Sequence, residues 1–140
     1  MQSEACLLLV DKSAVEALLL PDDVTTAVRE AFTLHSEGEG RVFPVVREAL
    51  STGGIFGIKS GDVQSQSLLG FKAAGFWRAN RTLGGEPHQA TIMLFDPATG
   101  RPVCVIDGNA PVDCGQIIPA ALACAAFPTY YRVRFHERLP

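Results

Sequence analysis

Charge is scarce in this chain. Only 19% of its 140 residues are charged, 12 basic and 15 acidic, for a formal net charge of −3. The two signs are interspersed, so there is neither the basic stripe of a nucleic-acid surface nor a polybasic helix for a membrane surface. Long apolar runs are missing too; stretches such as residues 6–10 are far too short to cross a bilayer. Met1-Gln2-Ser3-Glu4 carries no cationic lead, so no secretory signal is expected. The four cysteines, Cys6, Cys104, Cys114 and Cys124, form no C-x-x-C pair. No histidine stands at zinc-ligand spacing from them, so no structural metal is expected. Cys6 and Cys104 lie in apolar surroundings and read as small hydrophobes in a reduced, cytoplasmic compartment.

Phosphate-cradling loops are also lacking. A dinucleotide fold needs its glycines between a strand and the helix that follows, where backbone amides meet the pyrophosphate. Gly38-Glu39-Gly40 follows a helical pattern and precedes a strand pattern, the reverse order. Gly54 and Gly57 fall inside a strand pattern, and no P-loop lysine exists. No cofactor is therefore expected to bind this chain by itself.

What remains is globular composition, 47% hydrophobic, at a length that suits one domain. Folding would bury roughly 70% of the unfolded surface. Residues 6–10 read as a short buried strand. Ser13-Ala14-Val15-Glu16 has the form of a capping box, predicting a helix to about Leu20. Pro21 opens a second helix, in which Val24, Ala27, Val28, Ala31, Phe32 and His35 share one face and which Gly38 and Gly40 end. From residue 42 the period changes. Residues 42–50, 54–60, 68–77, 90–96 and 102–107 read as strands, the last two joined through Asp96-Pro97-Ala98-Thr99-Gly100 as a hairpin. The expected fold class is α+β: two N-terminal helices packed on a mostly antiparallel sheet of five or more strands. Residues 120–126 are helix-friendly but fenced by prolines, and residues 128–140 read as an exposed tail.

Two cations sit within otherwise apolar strands. Arg47 follows Phe43-Pro44-Val45-Val46, and strict alternation groups it with Phe43 and Val45. Lys72 follows Gly70-Phe71. A guanidinium on an apolar face suits a carboxylate held by two hydrogen bonds, or else an internal salt bridge or a strand-edge charge. His88 stands in the loop Gly84-Gly85-Glu86-Pro87-His88-Gln89, either as a ligand contact or as plain surface. Trp77-Arg78-Ala79-Asn80-Arg81 is too small for a nucleic-acid surface.

As a set, Gly70-Phe71-Lys72, Trp77, Asn80-Arg81, Gly84, His88-Gln89, Leu94-Phe95-Asp96-Pro97, Thr99-Gly100 and Asp107-Gly108-Asn109 resemble the ornithine cyclodeaminase/mu-crystallin family. The resemblance covers about residues 6–109. It implies a substrate-binding and dimerisation domain over residues 1–109, followed in full-length members by a Rossmann domain binding NAD or NADP. The family's shared chemistry is hydride transfer at the α-carbon of an amino or imino acid. By position Arg47 resembles the arginine that grips the substrate carboxylate. Lys72 resembles the catalytic lysine beside the carboxylate and reacting imine, and His88 joins them as a candidate substrate contact. Ornithine-type members carry a threonine where this chain has Pro87. Past Asn109 the family's I-T-x-x-R-T-A-A helix gives way to residues 111–116, with Gly115 at the arginine position. Residues 110–140 thus read as a divergent tail, through a shifted frame or a diverged helix. The expectation is a truncated member, inactive alone, with a small amino or imino acid and a second copy of itself as partners. The alternative is a dimeric, non-catalytic module for a small carboxylate.

Overall fold

The computed structural model describes residues 7–18 and 20–109. Expectations for Cys6, Cys114, Cys124 and residues 110–140 lie outside them. The described chain is an α+β fold in which two helices and seven strands follow in the order β1 (Leu8–Val10), α1 (Lys12–Leu18), α2 (Pro21–Ser36), β2 (Gly40–Val42), β3 (Val46–Ala49), β4 (Ile55–Val63), β5 (Leu68–Phe76), β6 (His88–Phe95) and β7 (Pro102–Asp107). One sheet runs β1-β7-β6-β5-β4-β2, with β3 also on β4. Every pairing is antiparallel except β1 with β7.

α1 starts two residues earlier than the capping-box reading, because its cap is Asp11 rather than Ser13. The Asp11 carboxylate accepts from the Ala14 N–H and from the Ser13 hydroxyl, both at 2.8 Å. Those bonds hold the Asp11 carboxyl below the usual carboxylate range. Glu16 instead faces Lys12 one turn away, at 3.9 Å. A shorter carboxylate reaches the free amides of the first turn better than a glutamate reaching back.

α2 buries Val24, Ala27 and Ala31, while Phe32 is 51% exposed. Its amphipathic stripe is real but narrower than the sequence pattern. Gly38, at φ +79°, ends the helix, and Gly40 already belongs to β2. The stretch read as one strand over residues 42–50 is broken at Phe43-Pro44-Val45, since proline has no N–H for the ladder. β2 and β3 both pair with β4 on either side of that break.

The β6–β7 hairpin is as the turn residues imply. Asp96 accepts from the Ala98 N–H at 2.9 Å and from the Thr99 hydroxyl at 2.6 Å, and Gly100 takes φ +71°. The core is Val10, Val15, Ile92, Leu94, Cys104 and Ile106, where α1 lies against β1, β6 and β7. Cys104 is fully buried, and burial pushes its thiol up to about 11, so the small-hydrophobe reading holds.

Candidate functional site

Directly paired residues of neighbouring strands point to the same face of a sheet. Arg47 pairs with Gly57, Gly57 with Ala74, and Ala74 with Ala90. Two residues along, Lys59 pairs with Lys72, Lys72 with Ile92, Ile92 with Ile106, and Ile106 with Val10. His88 pairs with Phe76, four residues from Lys72 on the same strand face. Arg47, Lys72 and His88 therefore share one face, the one whose far end carries the core against α1.

That face has two halves. At one end Val10, Ile92 and Ile106 are buried under α1. At the other, in the same row, Lys59 and Lys72 are half-buried, and Arg47 and His88 are exposed. Between them Gly57, Ala74 and Ala90 make a floor of small residues. Long cationic side chains can lie over such a floor. Arg47 and Lys72 stand two strands and one residue pair apart, on the order of 10 Å between Cα atoms. Side chains of their length can approach one small anion from that separation.

His88 is the first residue of β6, not a loop residue as the sequence pattern implied, because it is already in register with Phe76. Partial shielding by its neighbours, and then the positive charge of Lys72, lower its pKa below the ordinary value. Two of the three sequence-derived site residues are thus electrostatically coupled. Arg47 is on the strand face set by Gly57. Phe43 and Val45 do not set it, because they precede β3.

Lys59 was missed by the sequence reading. It lies in a run read as an apolar strand, and its place beside Lys72 depends on a register that only pairing reveals. Every charged strand position on this face is basic: Arg47, Lys59, Lys72 and His88.

The loop before β6 starts at Trp77, whose ring lies on the sheet face opposite Arg47, Lys72 and His88, because Gly75 alternates with Ala74 and Phe76. The Trp77 ring lies over Gly54 and Gly75, where an added Cβ would come within 2.2 Å and 2.5 Å of it, so only glycine leaves room. The Trp77 N–H donates to the Pro87 carbonyl at 2.7 Å, and the Asn80 side chain donates to the Glu86 carbonyl at 3.0 Å. Near the same end of β6, the Asn109 side chain accepts from the Ala90 N–H at 2.8 Å and donates back to its carbonyl at 3.3 Å. Asn109 thereby extends the sheet beside the floor residue Ala90. Asn80 and Asn109 thus hold the backbone on either side of His88, at Glu86 and Ala90.

A dinucleotide does not fit the described residues. Their one strand-to-α-helix junction, Val10-Asp11-Lys12, has no glycine and presents a carboxylate where a pyrophosphate would need amides. Among the described residues no group of histidine, cysteine or acidic side chains could hold a metal ion, and no helix is long and apolar enough to cross a membrane.

The family model for "Ornithine cyclodeaminase/mu-crystallin family" matches residues 6–114. The iminosuccinate reductase of Paracoccus denitrificans (strain Pd 1222) is 35% identical over 104 residues, 74% of this chain and 32% of that protein. Its crystal structure in complex with NAD+ superposes with a TM-score of 0.71. An archaeal alanine dehydrogenase dimer with bound NAD matches at 26% identity over 73% of this chain and 31% of that one, with a TM-score of 0.67. The Thermococcus litoralis Δ1-pyrroline-2-carboxylate reductase, in complex with NADH and L-proline, shares the fold at 24% identity over 73% of this chain and 32% of that one, with a TM-score of 0.70. The chain spans about a third of the length of these relatives. With a model match over most of its length and the motif residues in the places described, the chain belongs to the ornithine cyclodeaminase/mu-crystallin family.

Proposed function

We propose that residues 1–109 are the substrate-binding domain of an amino- or imino-acid oxidoreductase of this family. Arg47 and Lys72 hold the α-carboxylate, and His88 stands beside them. The observation that carries this reading is the strand register that puts Arg47, Lys72 and His88 on one face, next to a floor of glycine and alanine. Converging cations cost stability by mutual repulsion, and an anion between them offsets that cost. Relatives named for iminosuccinate and alanine support an amino or imino acid as ligand. Fixing the carboxylate fixes the neighbouring α-carbon, and such positioning accounts for much of the barrier to transfer at that carbon.

Hydride chemistry needs a nicotinamide, which those relatives bind. The described residues offer it no cradle, so we take the 140-residue chain alone to bind without turnover. Among the described residues Arg47 and His88 are exposed and Lys72 is half-buried. Exposure to water screens the ion pairs, and millimolar-class affinity is expected.

The test is a titration of the 15N-labelled chain with L-alanine and with L-aspartate, followed by amide shifts in β3, β4 and β5. Saturable shifts in those strands for at least one ligand are expected, weakened about tenfold by Arg47→Ala or Lys72→Ala. Shifts in neither case, or equal shifts in both variants, would refute the reading.

We also propose that the chain self-associates through the opposite face of the sheet. There Ser60, Phe71, Met93, Val105 and Leu9 form one cross-strand row, flanked by Val46 and Ile58. Leu9 is 72% and Val46 48% exposed, and Phe71, Met93 and Val105 are half-buried.

A further inference from the structure

The face that carries the cations continues past Arg47. One row further along the strands, Ala49 pairs with Ile55, Ile55 with Phe76, and Phe76 with His88. Phe76 follows Ala74 by two residues and Ile55 precedes Gly57 by two. Both side chains therefore stand on the cation face, about 7 Å along the strands from that floor. Direct cross-strand partners lie about 5 Å apart, so the two form one apolar pair. Phe76 is 40% and Ile55 38% exposed, although each is a large hydrophobic. His88 brings no charge to the row near pH 7.5, because shielding and the Lys72 charge hold its pKa below the ordinary value.

A carboxylate held by Arg47 and Lys72, as proposed above, lies over Gly57 and Ala74. Across the sheet toward α1 the face is filled, with Ile92, Ile106 and Val10 buried. One way along the strands it is filled as well, with Val63 and Leu94 buried. The other way stand Phe76 and Ile55, within reach of a side chain of about four carbons or more. On the scale of one amino acid the surface is thus amphipathic: cations for the carboxylate and, a few bonds away, exposed apolar carbon. A methyl side chain stops short of the pair, and a second charge would stand against carbon. We infer that Phe76 and Ile55 form the side-chain subsite, and that it takes α-amino or α-imino acids with a branched aliphatic or aromatic side chain. The subsite rests on the substrate-domain reading and gives it a substrate class.

L-Leucine and L-alanine are suitable probes because they share the α-amino acid group and differ in an isobutyl against a methyl side chain. In NMR titrations of the 15N-labelled 140-residue chain near pH 7.5, leucine is expected to bind about tenfold more tightly, from three extra carbons half covered. Phe76→Ala is expected to lower that ratio about threefold or more without changing alanine binding, and Phe76→Leu to keep most of it. Ile55→Ala gives an independent reading at the neighbouring position. A thermal melt of each variant checks that the sheet is intact.

If the ratio is near one in the unmodified chain, or survives in every folded variant of Phe76→Ala and Ile55→Ala, the subsite is overturned. Binding of L-aspartate alone would overturn it too. In each of those cases loss of binding on Arg47→Ala leaves the substrate-domain reading standing. If none of the three amino acids binds the unmodified chain, both fall together.

Discussion

His88 shows how a residue can report on a site before any ligand is in it. Neighbouring atoms and the Lys72 charge both disfavour its imidazolium, so its pKa in the folded chain lies below the unfolded value of about 6.5. The sign for stability follows. Above about pH 6.5 the neutral ring costs nothing in either state. As pH falls through that value toward the lowered folded pKa, the unfolded chain takes up the proton first, and stability declines across that window. In an imidazole-resolved NMR titration the midpoint should fall below 6.5 and rise on Lys72→Met. A bound carboxylate should raise it as well, by offsetting the lysine charge. A midpoint indifferent to Lys72→Met would mean that the two side chains do not sense each other. Histidine at position 88 was legible as a candidate from Pro87-His88 and the family motif. Its coupling to a residue sixteen positions earlier was not, because that depends on the β5–β6 register. Cys104 is the contrasting case, where an apolar run alone was enough to foresee a buried, unreactive thiol.

Among the elements, the β4–β5 pair and the loop leading to β6 form one unit around Trp77. The indole occupies the space that a side chain at Gly54 or Gly75 would take, and a Cβ at Gly75 would also come within 2.6 Å of the Ile55 carbonyl. Gly75→Ala should therefore destabilise the chain by about 1–3 kcal/mol through overpacking. The Trp77 fluorescence should shift, because the ring has to leave its seat. A denaturant melt with unchanged midpoint and an unchanged emission spectrum would show that the ring is not held there. Sequence patterning found β4 and β5 but assigned the glycines no partner, since the indole reaches Gly54 from twenty-three residues away. The same limit explains the cap of α1. Ser13 and Glu16 matched a local motif, and Asp11 won because its carboxylate lies closer to the Ala14 N–H. Pro44 was visible in the sequence, and its missing donor is the reason β2 and β3 are separate strands.

At the scale of the described residues as a whole, the fold is a sheet with two unlike faces. One is covered by helices at its apolar end and lined with cations at its open end. The other carries the row from Ser60 to Leu9, which is apolar apart from its first member. Apolar side chains left part-exposed along a sheet face suit an interface, and a second copy of the chain is the occupant that the proposed dimer supplies. Leu9 is 72% exposed, so a charge there should leave the monomer folded while entering one end of any interface along that row. Leu9→Glu is expected to weaken self-association at least tenfold in sedimentation equilibrium, with little change in secondary structure by circular dichroism. A dimer unaffected by Leu9→Glu, or a chain monomeric at high concentration, would assign that face to something else. The family resemblance was legible in the motif string over residues 6–109, and the family model extends to residue 114.

Local chemistry by itself determined a great deal of this protein. Period-two and period-3.6 patterns specified the strands and α2, turn residues specified the β6–β7 hairpin, Arg47 and Lys72 stood out as charges within apolar strands, and His88 as a loop residue. These are properties of short windows, where a side chain's size, charge and hydrogen-bonding capacity act on its own backbone. Tertiary structure alone decided which residues share a face. The β3–β4–β5 register put Lys59 between Arg47 and Lys72, and the pairing of β1 with β7 carried Leu9 into the row with Met93 and Phe71. A slip of one residue would send every side chain of a strand to the opposite face. The burial of Val10, Ile92, Leu94, Cys104 and Ile106 against Val15 opposes such a slip, and through it the core sets where the cations meet.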